Sequence, residues 1–385
     1  MIMKRFFEDA FHRPRAYLLA AAAAAAAIAS GAVFLSMHEA EPIVAGPGVT
    51  SQKMLSDYVP AMAGTPADTP VFILEGAEPG GTALVLGGTH PQEISGLMGA
   101  VLMVENATPQ RGRIIVLPQA NRSGFTHTDP LEGFPHTYEI ETAGGTRWFR
   151  VGMRLTNPIH QWPDPDLHLH PQSGERMVGW ESRNLNRNFP GDPDGRYTTR
   201  LNAAIVALAR AEGVDIVLDM HEAYPEYPII NMLVAHERAF EIATLTMIGL
   251  QTRGIAMDLM ASPPALRGLS HREFGDHTEA FAILSETANP AMGRFRGRTD
   301  EALVVEGKDV NYVRAAALDR LFVPFDENGH PLRERTARQL ATIEEMLIAY
   351  NEANPDKQVE VSGIPAYQTV IDEGIGRFLL PVPAK

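Results

Sequence analysis

Three short apolar runs in this chain each stop at a residue able to hold a metal ion or carry a proton. Residues 82–86 (TALVL) lead through Gly87 and Gly88 to His90 and Glu93, residues 214–220 (VDIVLDM) lead straight to His221, and residues 281–284 (FAIL) lead to Glu286. Apolar runs this short, bounded by turn formers, read as buried strands, whereas residues 93–104 carry helical spacing. Further strands are expected near residues 71, 113 and 229, and helices near 95, 200, 240, 311 and 340. That alternation predicts an α/β fold, a three-layer α/β/α sandwich around a mixed, mostly parallel sheet. In such sheets reactive groups collect at the carboxyl ends of the strands.

His90 and Glu93 stand three residues apart where a strand hands over to a helix, so their side chains can face one point. With His221 they make a set of two histidines and one carboxylate. Such a set leaves a fourth tetrahedral position for water, which is the pattern of a catalytic zinc site; structural sites are closed by four protein ligands. The chain has no cysteine, which excludes a thiolate site. One zinc ion per chain is therefore expected. HxxE alone is a weak signal, equally served by a histidine capping a helix. The strand before each ligand gives the set its weight.

Zinc-activated water needs a carboxylate to take its proton and deliver it to the leaving group. Glu286, at the end of its own strand, is the candidate. Glu222 competes, but neighbours on a strand point to opposite faces. Attack on a carbonyl builds negative charge on oxygen, which a fixed cation stabilises. The segment ESRNLNRNFPG, residues 181–191, offers Arg183 and Arg187 among Asn184, Asn186 and Asn188. One guanidinium fork can anchor a substrate carboxylate while the other polarises the carbonyl.

Taken in order, HxxE, an Asn-Arg pair, a lone histidine after a strand and a glutamate resemble the zinc carboxypeptidase superfamily. RNLNRNFPG at 183–191 and LPQANRSGF at 117–125 look like its succinylglutamate desuccinylase and aspartoacylase branch, over roughly residues 70–325. The resemblance implies zinc ligands at His90, Glu93 and His221, a carboxylate-binding pair at Asn186 and Arg187, a general base at Glu286 and a carbonyl-polarising arginine at Arg183. The chain departs from the pattern in three places. Pro91 stands where many relatives carry glycine. No tyrosine lies between Tyr227 and Glu286, unlike in the peptidase-type members. About 35 residues follow the last long helix, too few for the carboxyl-terminal β domain of the deacylases, so a lid must come from elsewhere.

The expected source is the segment 121–181, rich in Pro, Gly and aromatics, a length that inside a domain implies structure of its own. Residues 137–140 and 147–151, joined through AGGT, read as a β-hairpin, so a flap beside the active site is expected. His127, His136, His160, His168 and His170 lie in this segment. A second metal at His168 and His170 is weighed against solvated loop histidines, the simpler account.

At the amino terminus, residues 16–37 run 22 positions without a charge, enough to cross a bilayer at about 1.5 Å per residue. Lys4, Arg5, Arg13 and Arg15 precede it against Glu8 and Asp9, so residues 1–15 are expected in the cytoplasm and the rest exported. Cleavage as a signal peptide near Ala29–Ala32 is the alternative. A linker over 38–70, a catalytic domain over 71–350 and a tail or edge strands over 351–385 complete the expected organisation. The net charge of −14 disfavours nucleic acid as a partner. The sequence thus predicts a membrane-anchored zinc hydrolase cleaving an amide bond near a free carboxylate, its partner a small N-acyl amino acid or peptide. By resemblance it is a deacylase. The alternatives are a carboxypeptidase acting on peptides, cell-wall peptides among them, and a silent binding protein that keeps the fold. Oligomeric state is not readable.

Overall fold

In the computed structural model, residues 2–128 and 133–383 are described, with side chains from residue 14 onward. The basic side chains expected before the apolar stretch, apart from Arg15, lie outside the described residues. The first unit, Met1–Ala40, is a helix, α1 (Ile2–Ser36), whose stretch Pro14–Ser36 is long and apolar enough to cross a membrane. The second unit, Glu41–Lys385, holds everything else.

The apolar runs of the second unit pair into one sheet. Its strands are β1 (Val49–Met54), β2 (Pro70–Glu75), β3 (Glu78–Leu86) and β4 (Thr108–Leu117). Two hairpins follow, β5 (Thr137–Thr142) with β6 (Gly145–Arg150), and β7 (Leu167–Leu169) with β8 (Arg176–Val178). The sheet resumes with β9 (Ile216–Ala223), β10 (Met232–Ala235), β11 (Asp258–Ala261), β12 (Phe281–Ala288) and β13 (Glu360–Ser362). The spatial order is β1-β2-β4-β3-β9-β12-β10-β11, with β13 on β4. The central strands β4, β3, β9 and β12 run parallel, while β2 on β4 and β10 on β12 are antiparallel.

Period-two burial divides the strands between two layers. Ala83, Val85, Leu218 and Met220 face a core built with α2 (Ile94–Asn106), α4 (Phe240–Thr252) and α8 (Leu332–Ala353). Leu84, Leu86, Val217 and Ala282 face the opposite core, with α3 (Tyr197–Ala211) and Phe274 of α5 (Ser270–His277). The shorter helices α6 (Glu301–Glu306) and α9 (Tyr367–Glu373) pack on the long α8, and α7 (Val310–Ala316) follows α6 in the chain. Helix α2 lies close on the sheet because Gly96 lacks a side chain: a Cβ there would stand 2.5 Å from the Met220 carbonyl oxygen.

Two expectations are corrected. Residues 41–70 are not a linker: β1 pairs with β2, and Leu55, Met62 and Ala67 are buried in the second core. Proline and alanine in this stretch serve 3-10 turns such as Pro60–Met62 that fold onto the sheet. Of the tail or edge strands expected over 351–385, β13 forms, while residues 378–383 (FLLPVP) form no strand: Leu380 N–H donates to Glu105 and its carbonyl accepts from Arg147.

Candidate active site

Each functional side chain sits where a strand ends. After β3, Gly88 turns the chain with φ +62°, and a Cβ there would meet the Phe125 ring at 2.7 Å. His90 and Glu93 follow, closed into a turn by Glu93 N–H donating to the His90 carbonyl at 2.9 Å, and Glu93 caps the start of α2. His221 lies in β9 directly opposite Glu286 in β12. In-register neighbours point to the same face, so the strand pairing itself brings ligand and base together.

His90, Glu93 and His221 converge and are all buried. Their tautomers follow from the outer partners. Asn184 Oδ1 accepts from Asn186 N–H at 3.0 Å, while Asn184 Nδ2 donates to Glu181, so Oδ1 is the atom facing His90 Nε2 at 2.8 Å. Asp219 Oδ2 lies 2.9 Å from His221 Nε2 and is held by the Ser270 hydroxyl, its other oxygen by the Thr89 hydroxyl. Both imidazoles therefore carry their proton on Nε2 and aim the Nδ1 lone pair inward. The two Nδ1 atoms are 3.1 Å apart, and Glu93 places Oε1 2.8 Å from one and Oε2 2.8 Å from the other.

Such a knot of electron-rich atoms calls for a positive charge at its centre. Burial opposes it, yet Asp219 and Glu93 raise the His221 pKa well above the ordinary histidine value. Burial and the Arg154 charge lower His90 to about 4. Burial would raise Glu93, but His90 and His221 hold it far below the usual carboxylate range. With a divalent cation in place of the proton that Asp219 and Glu93 favour on His221, two imidazole nitrogens, one carboxylate and an open side fit zinc's preferences.

Glu286 differs from every other acid here. Its Oε2 is buried with no hydrogen-bond partner. Burial and then the Glu93 charge push its pKa up to about 8. Glu222 points into the helix layer, where Arg335 binds it at 2.7 Å and Asn289 at 2.9 Å. A cavity of about 480 Å³ opens over the cluster, lined among others by His90, Glu93, Arg154, Asn186, Arg187 and Glu286.

Of the expected cations, Arg187 reaches this cavity, with Asn186 beside it, and Arg183 does not. Arg183 is gripped by both Asp164 oxygens, at 2.7 and 3.0 Å, and by the Thr156 carbonyl, so its fork is spent within the flap. Arg154 occupies the place expected of it, 3.4 Å from both His90 and Glu93. No motif marks Arg154. Asp219 was legible in principle, because it lies two positions before His221 and so on the same face of the strand. The hairpin β5–β6 forms as expected. The flap histidines bring no second metal site among the described residues. His170 is buried against the Phe189 carbonyl and Ser173, and His168 lies on β7. A second acid–histidine group, His236, Glu237 and Asp276, is consumed by Arg272 and Arg267.

The described residues thus form a mixed α/β sheet with a buried His–Glu–His cluster, able to hold a metal ion, at the ends of adjacent parallel strands. The catalytic-domain model of the succinylglutamate desuccinylase/aspartoacylase family matches residues 171–292. That span contains Asn186, Arg187, His221 and Glu286, while His90 and Glu93 precede it. A curated relative, N-alpha-acetyl-L-2,4-diaminobutyric acid deacetylase of Halomonas elongata, is 25% identical over 169 residues, which cover 43% of this chain and 35% of that protein. Solved structures with similarity include a succinylglutamate desuccinylase/aspartoacylase from Rhodobacter sphaeroides (18% identity, TM-score 0.34, 57% of this chain and 51% of that one). Another is a metallo-carboxypeptidase from Burkholderia cenocepacia (12% identity, TM-score 0.45, 84% of this chain and 69% of that one).

Proposed function

We propose that this protein is a zinc-dependent deacylase that hydrolyses the amide bond of an N-acyl amino acid bearing a free carboxylate. The observation that carries this reading is the pairing of the inward-facing His90, Glu93 and His221 with the unpartnered Glu286 carboxylate, one strand away in register. Zinc held by the three would supply Lewis acidity, activating water and polarising the carbonyl. The chain does the rest. Arg187, with Asn186 beside it, binds the substrate carboxylate and sets which bond meets the base. Arg154 stands beside the ligands to stabilise charge developing on the carbonyl oxygen. Glu286 takes the proton from the attacking water and returns it to the departing amine nitrogen, a task open to it because its Oε2 has no competing hydrogen-bond partner. Asp219 and Asn184 fix both imidazole rings so that none of this waits on reorganisation.

The full chain in detergent, assayed for zinc and for products from N-acyl amino acids and short peptides, tests the reading. One zinc per chain and chelator-sensitive release of a small acid are expected. Release of a terminal amino acid from peptides would make it a carboxypeptidase instead, and zinc without turnover a binding protein. His221→Ala should lose the metal; full zinc content in that variant would remove His221 from the ligand set. The helix Pro14–Ser36 is assigned as an uncleaved anchor with the hydrolase exported, and membrane fractionation with protease protection checks this assignment.

A further inference from the structure

The cavity has two chemically distinct sectors. Around the ligands it is charged, but two residues down β12 from Glu286 its wall turns apolar. Leu284 shares Glu286's face by the two-residue repeat of the strand. In register Leu284 lies opposite Val234 of β10, and Val234 lies opposite Met260 of β11, so three apolar side chains form one row across three strands. Ile229, Leu266 and Leu269 line the same cavity. Arg267, the charged residue of the loop that carries the two leucines, is turned away onto Glu273 and Asp276. His271, with Nδ1 2.9 Å from the Ser262 hydroxyl, is the polar member of this floor.

This apolar sector is tied to the carboxylate anchor rather than to the opposite side of the ligands. The Leu266–Leu269 loop meets the flap through Arg267, which donates to Gln172 at 2.8 Å, but its backbone is bonded to the anchor segment. Its Gly268 carbonyl accepts from Phe189 N–H at 3.1 Å, and Ser270 N–H donates to Asn186 Oδ1 at 2.7 Å. The wall and the Asn186–Arg187 pair thus form one hydrogen-bonded unit. A substrate whose carboxylate meets Arg187 sets the side chain of that same amino acid against the wall.

We propose that the amino acid carrying the free carboxylate has an aliphatic or thioether side chain, seated on the row Leu284, Val234 and Met260 beneath Leu266 and Leu269. Among the side chains named for this wall an acidic group meets no cation, Arg267 being turned onto Glu273 and Asp276, and a basic one meets no carboxylate, so either is desolvated there without a partner. The inference rests on the deacylase reading for turnover but not for binding. Calorimetry on the zinc-loaded full chain carrying Glu286→Gln, which blocks turnover, provides the test. The ligands are N-acetyl-L-leucine, N-acetyl-L-aspartate, N-acetyl-L-lysine and N-octanoylglycine.

N-acetyl-L-leucine should bind about tenfold or more tightly than the aspartate and lysine compounds. Met260→Lys, at a half-buried position on β11, should weaken the leucine compound and favour the aspartate one; Met260→Leu should leave the order unchanged and so control for folding. Aspartate or lysine compounds binding as tightly as leucine would overturn the proposal, as would no binding by any of them. Tightest binding of N-octanoylglycine would move the apolar sector to the acyl side and overturn the assignment too. Selective leucine binding with no hydrolysis by the wild-type chain would uphold the sector and sink the deacylase reading alone.

Discussion

Two glutamates at the ends of neighbouring strands, Glu222 on β9 and Glu286 on β12, are both shielded from bulk water and meet opposite fates. Glu222 faces the helix layer, where Arg335, Asn289 and the Ser95 N–H account for its oxygens. Glu286 faces the cavity with Oε2 unpartnered. The first is a buried carboxylate satisfied by its surroundings, the second a carboxyl group held back from them. Burial alone therefore says nothing about chemistry here; the hydrogen-bond inventory on each face does.

The contrast can be broken by substitution. Glu286→Gln should lower kcat by roughly a thousandfold or more while zinc content and fold are kept, because a positioned acid–base group is worth about 10²–10⁴ and nothing nearby replaces it. Turnover near wild type, measured on zinc-loaded protein, would end the distinction. Glu222→Ala should do the reverse. It strands the Arg335 guanidinium in the core and should remove about 3–5 kcal/mol of unfolding free energy in denaturant titration, with kcat per folded molecule little changed.

A weaker form of the same contrast separates two arginines. Arg154→Ala should cost about a hundredfold in kcat. Arg183→Ala should mainly lower the melting temperature, since its fork serves Asp164. Equal kinetic losses would return the carbonyl role to Arg183.

The smallest effect concerns pH. Burial raises the Asp276 carboxyl, but hydrogen bonds from Arg272, His236 and Arg267 outweigh it and hold the group well below the usual aspartate value. A depressed folded pKa contributes stability that is present above the unfolded pKa of about 3.9 and is lost as pH falls through the folded one. Asp276→Asn should therefore lower the melting temperature at pH 7, and the gap to wild type should shrink below about pH 4.

The residues at strand ends were legible because two rules act together: short apolar runs become strands, and parallel strands in one sheet gather their ends. His90, Glu93, His221 and Glu286 were picked out in this way, Asn186 and Arg187 by the asparagine-rich motif around them, and all line or lie beneath one cavity. The preference of the strand for Glu286 over Glu222 was readable from alternation alone. What stayed hidden depends on long-range partners. Arg154 and Arg183 are both arginines near aromatic or asparagine-rich sequence, and only the position of Asp164 decides which of them is occupied. The strand β1 was hidden for a related reason. VTSQKM has no apolar alternation of its own and becomes a strand by lying along the edge of β2.

The Asp164–Arg183 pair also changes what the long insertion is for. Arg183 is followed at once by Asn184, which holds His90, and then by Asn186 and Arg187. The Thr156 N–H and the Gln161 side chain grip the same short stretch, at the Arg183 and Ser182 carbonyls. A segment that looks like decoration on the scaffold is thus its scaffolding at the reacting centre. A protease cut between 157 and 163 should disorder the imidazole it supports.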